Sequence, residues 1–338
     1  MKKNDIILLA NGMISVLLVA AILYYVGVAD VVKSLSALDI GLLLVSMAFL
    51  LLMDVVMACR VKVILDYLGS GIRFPDIFKA HFVGMLAADF TPARSGYFAT
   101  AGVLHYKYGV KPEHAMLSIF GPQIYDFVLK LVAGTLAILY LLYHFIGPKD
   151  GWIIIMGSVV MSAIIAAMLL LLFSERFLRL FGFSERLPVA SRVYGLFRRM
   201  QDNSHAVVKK TPELIALMLL SWSAKSISWY FVAKAVGITL NTEFPEILFY
   251  FFLQPLVTML EFIPSPTIAG LGLSEGGTTA VFSFFGVQAA TAATFALLAR
   301  FKTTFVHLPA VPEALATLRA GDKDKVEQGN AIGGEMAA

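Results

Sequence analysis

Charge is scarce in this chain. Of its 338 residues only 15% are Asp, Glu, Lys or Arg, and 59% are hydrophobic. A soluble domain of this length needs far more polar surface, so that class is excluded. Cysteine is nearly absent too: Cys59 stands alone, and no internal disulfide can staple the fold. The apolar stretches lack the polar/apolar alternation of a transmembrane β-barrel. Six scattered histidines show no metal-ligand spacing, and no metal or other cofactor is expected. No His-Glu-x-x-His, Gly-x-Ser-x-Gly or P-loop occurs, so the chain is not expected to be an enzyme.

What remains is apolar and continuous, with a mean hydropathy of +0.79. Residues 6–28, 40–59, 123–146, 152–173 and 213–236 each approach or exceed the roughly 20 residues that a spanning helix needs. A sixth run, 287–310, is mostly apolar and carries Arg300. Lys2 and Lys3 precede a run too long for a signal-peptide core, so the first run reads as a span. These features predict an all-α polytopic membrane protein. The net charge of +4 then reflects basic loops kept in the cytoplasm, and no nucleic acid is expected as a partner.

Two further apolar stretches, 74–108 and 245–286, are broken near their middles. The first break reads Phe90-Thr91-Pro92-Ala93-Arg94-Ser95-Gly96. The second runs from Phe262-Ile263-Pro264-Ser265-Pro266 through Gly270 and Gly272 to Ser274-Glu275-Gly276-Gly277. Proline and paired glycines end helices and free backbone polar groups. At membrane depth such a break persists only inside protein or beside a water-filled cavity. Both stretches are therefore expected to be re-entrant helical hairpins.

Between 174 and 212 the chain carries eight basic residues, Arg176 to Lys210, against Glu175, Glu185 and Asp202. That places this loop in the cytoplasm, and its interspersed Phe and Leu suggest an interfacial helix. Counting crossings outward puts both termini in the cytoplasm of a multi-pass cell-membrane protein. It also exposes a repeat. One membrane domain, 1–320, resolves into a first span (1–39), a first unit (40–146), a fourth span (147–173), the basic loop, and a second unit (213–316). The two units point in opposite directions, and both hairpins break at Phe-x-Pro. Inverted repeats around broken helices are characteristic of transporters. Residues 321–338 read as a disordered polar tail.

Charges at membrane depth usually have a partner or a task. Asp54 lies about 21 Å into the second span and Lys225 about 18 Å into the fifth. Arg300 is near mid-depth in the sixth. Asp126 and Lys130 share a helix face at i and i+4, which suits a structural pair. Asp89 and Arg94 flank the first break, and Glu261 and Glu275 the second, where a carboxylate is also a candidate proton carrier. Arg94 is the first choice for an anionic ligand, because guanidinium matches phosphate bidentately. A brace to Asp89 is the alternative. For Lys225 and Arg300, phosphate contact and pairing with Asp54 or Glu275 are both open.

The chain resembles the flippase-like family typified by the transmembrane region of lysylphosphatidylglycerol synthases. The resemblance rests on Phe90-x-Pro92-x-Arg94-x-Gly96 and Asp126, then on Ile263-Pro264-x-Pro266, Gly270-Leu271-Gly272-Leu273-x-Glu275 and Arg300. It covers nearly all of the chain outside the tail. Two positions depart: Tyr97 stands where the family usually has Glu, and 121–125 lacks the family's Arg. The resemblance implies movement of an anionic or aminoacylated phospholipid, or a lipid-linked headgroup, between leaflets. It also implies membrane lipids and a lipid-modifying enzyme as partners. No synthase domain is expected, since nothing soluble follows Ala310. A membrane transferase or its membrane subunit acting on a lipid- or polyprenyl-linked substrate is one alternative, and a small-solute or ion transporter another. Arg94, Lys225, Arg300, Asp54, Glu275, Pro264 and Gly272 are the expected substrate-binding positions, and Asp89, Asp126, Lys130 and Glu261 the structural or coupling ones.

Overall fold

The computed structural model describes residues 3–146, 151–180, 188–240, 242–262, 267 and 270–317. Among them it is all-helical, without a sheet. Three helices are long and apolar enough to cross a membrane alone, Ile40–Tyr67, Pro112–Phe145 and Thr211–Ala235. A bent pair near the N-terminus raises the number to four. The expected tail, 321–338, and most of the expected outer loop after 146 lie outside the described residues.

Helix α1 (Lys3–Val26) meets α2 (Val28–Ser36) at Gly27, where the chain bends by 84°. Counting crossings from the first run, 6–28, leaves residues 30–39 as an outer loop. The spacing of Val28, Val31, Val32 and Leu35 instead makes one apolar face of a helix, and Val31 is buried where α2 packs on α14 (Ala289–His307).

Asp39 caps α3 (Ile40–Tyr67) by accepting from the Leu42 N–H at 3.0 Å. This helix runs eight residues past the expected span and ends before Gly69 and Gly71. It packs along α11 (Thr211–Ala235) in the opposite direction. The Asp39 N–H donates to the Ala235 carbonyl at 2.9 Å, so the start of one helix meets the end of the other. Deeper in, the Ser228 hydroxyl donates to the Ser46 carbonyl at 2.6 Å, and Phe49 stacks on Phe231.

The first hairpin is present. Its arms are α4 (Phe74–Asp89) and α5 (Ala99–Tyr106), joined by a 3-10 turn at Pro92–Phe98. Gly84 and Gly96 permit the arms to touch. A Cβ on Gly84 would sit 1.8 Å from the Thr100 hydroxyl, and one on Gly96 would sit 2.3 Å from the Ala87 backbone. The freed groups at the break are partly recaptured by Thr91. Its hydroxyl donates to the Ala87 carbonyl at 3.0 Å and accepts from the Gly96 N–H at 2.6 Å.

Helix α6 (Pro112–Leu141) begins eleven residues before the expected span, carrying Pro122 within it. Residues 115 and 117–122 are buried there, so tertiary packing extends a helix that proline alone would have ended. Helix α7 (Gly151–Phe173) leads into the basic segment, which is helical in α8 (Glu175–Arg179), α9 (Pro188–Asp202) and α10 (His205–Lys209). It is docked rather than loose: Phe197 meets Phe120 edge-on, and the Gln201 amide donates to the Leu171 and Ser174 carbonyls.

The second hairpin comprises α12 (Glu246–Phe262) and α13 (Leu273–Phe284). Most of its break, 263–266 and 268–269, lies outside the described residues, and Pro264 with it. The packing is reciprocal. The first arm of each hairpin lies against the last long helix of the other half, α4 on α14 and α12 on α6, and the second arms lie against their own, α5 on α6 and α13 on α14. Exposed Leu44, Leu51, Leu52 and Val55 on α3, and Val132, Leu136 and Leu139 on α6, face outward where lipid is the solvent.

Candidate functional site

Between the hairpins lies a cavity of about 310 Å³, walled by α3, α4, α6, α11, α12 and the 3-10 turn. Its polar lining includes Arg60, Arg94, Gln123, Asp126, Lys130 and Lys225. A smaller pocket shares Met53, Met85, Arg94 and Lys225 with it and reaches Asp89, Glu275 and Arg300. The structure thus brings Arg94, Lys225, Arg300, Asp89, Asp126, Lys130 and Glu275 to one connected region. Asp54 is buried beside it, and Gly272 caps the helix that presents Glu275. The side chain of Glu261 lies outside the described residues, as does Pro264.

Arg94 is the one non-glycine residue with a positive φ among the described residues, at 53°. A left-handed backbone costs a side-chain-bearing residue about 1–2 kcal/mol, so the turn holds Arg94 in place against a local penalty. Its guanidinium approaches Asp89 at 3.3 Å and also lines both pockets. The brace to Asp89 is present, and the same residue borders the cavity.

The second break is built differently. The Glu275 carboxylate accepts from the Gly272 N–H at 2.6 Å and from the Ser274 hydroxyl at 3.1 Å, closing the first turn of α13. Gly272 takes a φ of 88°, open to glycine without strain. Arg300 then pairs with Glu275 and donates to the Ser274 hydroxyl at 2.6 Å. Of the two roles open for Arg300, pairing with Glu275 is the one observed.

Asp126 takes Arg60 bidentately, at 2.9 and 2.7 Å. Arg60 is only 3% exposed. It went unnoticed because the apolar run stops at Cys59, which made Arg60 look like an interfacial charge. The helix continues to Tyr67 and carries it inside. Lys130 sits over the Phe127 ring at 5.4 Å, and Lys225 lies 6.0 Å from the Trp229 ring centre. Lys302, also overlooked, is buried and donates to the hydroxyls of Ser46 and Ser228 at 2.8 and 2.6 Å, at the α3–α11 crossing.

Asp54 joins neither Lys225 nor Arg300 by any ion pair seen here. It lies between two histidines, with His81 Nε2 3.2 Å from Oδ1 and His307 Nε2 3.3 Å from Oδ2. The other nitrogen of His307, Nδ1, lies 2.8 Å from Asp89 Oδ2. These histidines look scattered along the sequence and meet only because α4 packs on α14. Among the described residues, no group of three or more His, Cys, Asp or Glu is arranged to hold a metal ion.

Chemically, the region offers several guanidinium and ammonium groups to a cavity set among the helices. Attraction for an anion is strengthened there by the low local dielectric. Residues 9–310 match the family described as the lysylphosphatidylglycerol synthase TM region. A UPF0104 membrane protein of Pyrococcus horikoshii is 24% identical over 315 residues, a stretch that covers 85% of this chain and 90% of that protein. With its match extending across every described span and both hairpins, the chain belongs to the lysylphosphatidylglycerol synthase transmembrane-region family, a membrane domain linked to lipid modification.

Proposed function

We propose that this protein carries an anionic phospholipid, or a lipid-linked phosphate headgroup, from one leaflet to the other. The observation that carries the reading is the cation-lined cavity between the two hairpins, with Arg94 held at its wall in a strained turn. Guanidinium and ammonium groups in such a setting suit a phosphate that must leave water without losing its charge partners. Along the same α6–α12 seam runs an apolar groove of about 350 Å³, bordered by Leu136, Tyr140, Phe244, Leu248 and Phe252. An acyl chain lying there would place its headgroup toward the cavity.

The reciprocal packing supports an inverted repeat of units 40–146 and 213–316. Antiparallel α3 and α11 lie at its centre, and each hairpin is clasped by the other half. Rocking of one unit against the other would expose the cavity to each side in turn. The basic segment and both termini are proposed to face the cytoplasm. A lipid-modifying enzyme, delivering or receiving the carried lipid, is the proposed partner.

The test is reconstitution into liposomes carrying headgroup-labelled lipids of several classes. Wild-type protein should accelerate exchange of at least one anionic class, and Arg94→Ala should lose that acceleration. Equal background rates for both proteins across all classes would sink the reading.

A further inference from the structure

The side chains of His81, Asp54, His307, Asp89 and Arg94 form one continuous line from the α3–α4 interior to the cavity wall. The successive separations are 3.2, 3.3, 2.8 and 3.3 Å. His81, Asp54 and His307 are fully buried, and Asp89 lines the smaller pocket with Arg94. Four elements supply the line: Asp54 comes from α3, His81 and Asp89 from α4, Arg94 from the 3-10 turn, and His307 from α14.

Donor and acceptor rules constrain its protons. Ionised carboxylates only accept, and a neutral imidazole has one N–H to donate. His307 faces carboxylate oxygens with both ring nitrogens, so its two contacts need one proton more than a neutral imidazole and two carboxylates hold. His81 faces Asp54 with Nε2, while its buried Nδ1 has no hydrogen-bond partner among the described residues. That nitrogen is a second seat for a proton.

The charged and titratable groups packed around the line are engaged elsewhere or point to the cavity. From α3, Arg60 pairs with Asp126, and from the 3-10 turn the Tyr97 ring meets His81 edge-on at 5.7 Å. On α14, Lys302 is bound to Ser46 and Ser228, and Arg300 to Glu275. Lys225 of α11 lines the cavity. Arg94 touches the line at Asp89.

We propose that this His–Asp–His–Asp line is a proton-binding site coupled to the ligand through Arg94, so that one proton is taken up for each phosphate headgroup bound. The proposal rests on the phosphate reading of Arg94 given above. With both carboxylates ionised, Arg94 charged and one extra proton on the line, the charges sum to zero. A phosphate that draws the guanidinium away from Asp89 leaves the line one negative charge in excess. A proton from water, passing to Asp89 or on to His81 Nδ1, restores the balance, and departure of the headgroup returns it to water. Linkage makes the effect reciprocal: acid tightens headgroup binding as much as the headgroup tightens proton binding.

Two measurements on the full chain in nanodiscs test this. The first needs no ligand. Nitrogen NMR of ring-labelled histidine, with infrared spectroscopy of the carboxyl region, should show at pH 7 either a doubly protonated His307 or a protonated carboxyl, absent in His307→Gln. A neutral His307 with no protonated carboxyl overturns the proposal. The second titrates dihexanoyl-phosphatidylglycerol in buffers of differing ionisation enthalpy. About one proton taken up per lipid, with affinity rising up to roughly tenfold per pH unit toward acid, is expected, and Asp54→Asn should abolish the uptake. Binding that proceeds with no proton uptake overturns the coupling and leaves the phosphate reading intact. Failure of the lipid to bind at any pH overturns both.

Discussion

Each hairpin break is marked by a carboxylate and an arginine, and the two pairs are built to different ends. At the second break the described groups close on one another. Glu275 satisfies the Gly272 backbone, the Ser274 hydroxyl and Arg300 together, and Arg300 returns a bond to Ser274. At the first break the contact from Arg94 to Asp89 is long, 3.3 Å, and Asp89 is shared with His307. The first arginine also sits on strained backbone, whereas the second rises from an ordinary helix. Geometry of this kind separates a brace from an exchangeable contact. A carboxylate closed by several short bonds is costly to release, and a long contact to a shared carboxylate is more readily traded for a ligand.

Breaking the brace should have the largest effect on folding. Glu275→Ala removes the buried carboxylate that half-buried Arg300 pairs with and uncaps α13, and a loss of about 3 kcal/mol is expected. Chemical unfolding in detergent measures it, and a loss below about 1 kcal/mol would erase the contrast between the breaks. Arg94→Ala should instead spare stability and lower lipid exchange about tenfold or more, the kinetic equivalent of one charge-assisted contact of about 1.5–3 kcal/mol. Arg94→Gly sharpens the point. It should lose exchange equally while being about 1 kcal/mol more stable than Arg94→Ala, because glycine accepts the positive φ.

The arms of the first hairpin offer a third test. Gly84→Ala drives a methyl group into the Thr100 hydroxyl and should destabilise by about 1–3 kcal/mol, with Thr100→Ala partly rescuing it. The smallest effect concerns the clasp that holds the end of this hairpin to the C-terminal segment. Lys107 and Tyr108 both donate to Glu313, at 2.5 and 2.9 Å. Burial pushes the Glu313 carboxyl up, but the bonds from Lys107 and Tyr108 outweigh it and hold the group below the usual range. A carboxylate depressed by folding contributes stability above its unfolded value, near 4.3, and that contribution fades as pH falls through the folded value. Glu313→Gln should therefore cost about 1 kcal/mol or less at neutral pH and flatten the acid limb of a melting-temperature profile.

The architecture was legible where apolar length and Pro/Gly punctuation decide structure. Residues 40–59 and 213–236 were visible as runs, and Thr91-Pro92 announced the first break. Helix limits were harder, because burial overrides local signals: Pro122 lies inside α6, and Arg60 lies inside α3. Within the site, Arg94, Glu275 and Arg300 could be read from their place beside the breaks. His81 and His307 could not. Their significance depends on the packing of α4 against α14, and no spacing along the chain encodes a contact 253 positions apart, such as Asp54 with His307. Lys302 was hidden similarly, since its partners are two serines on other helices.

The first helix stands outside the paired halves, yet it leans on one of them. A Cβ at Gly272 would lie 2.4 Å from Leu18, so α1 lies flush against the second break. No copy of α1 is needed to complete the reciprocal packing of the two halves, and its presence makes the molecule lopsided. Under the proposed lipid carriage, that leaves the α6–α12 seam as the side door, and a lipid using it would enter sideways, tail still in the bilayer, rather than drop in from either aqueous face.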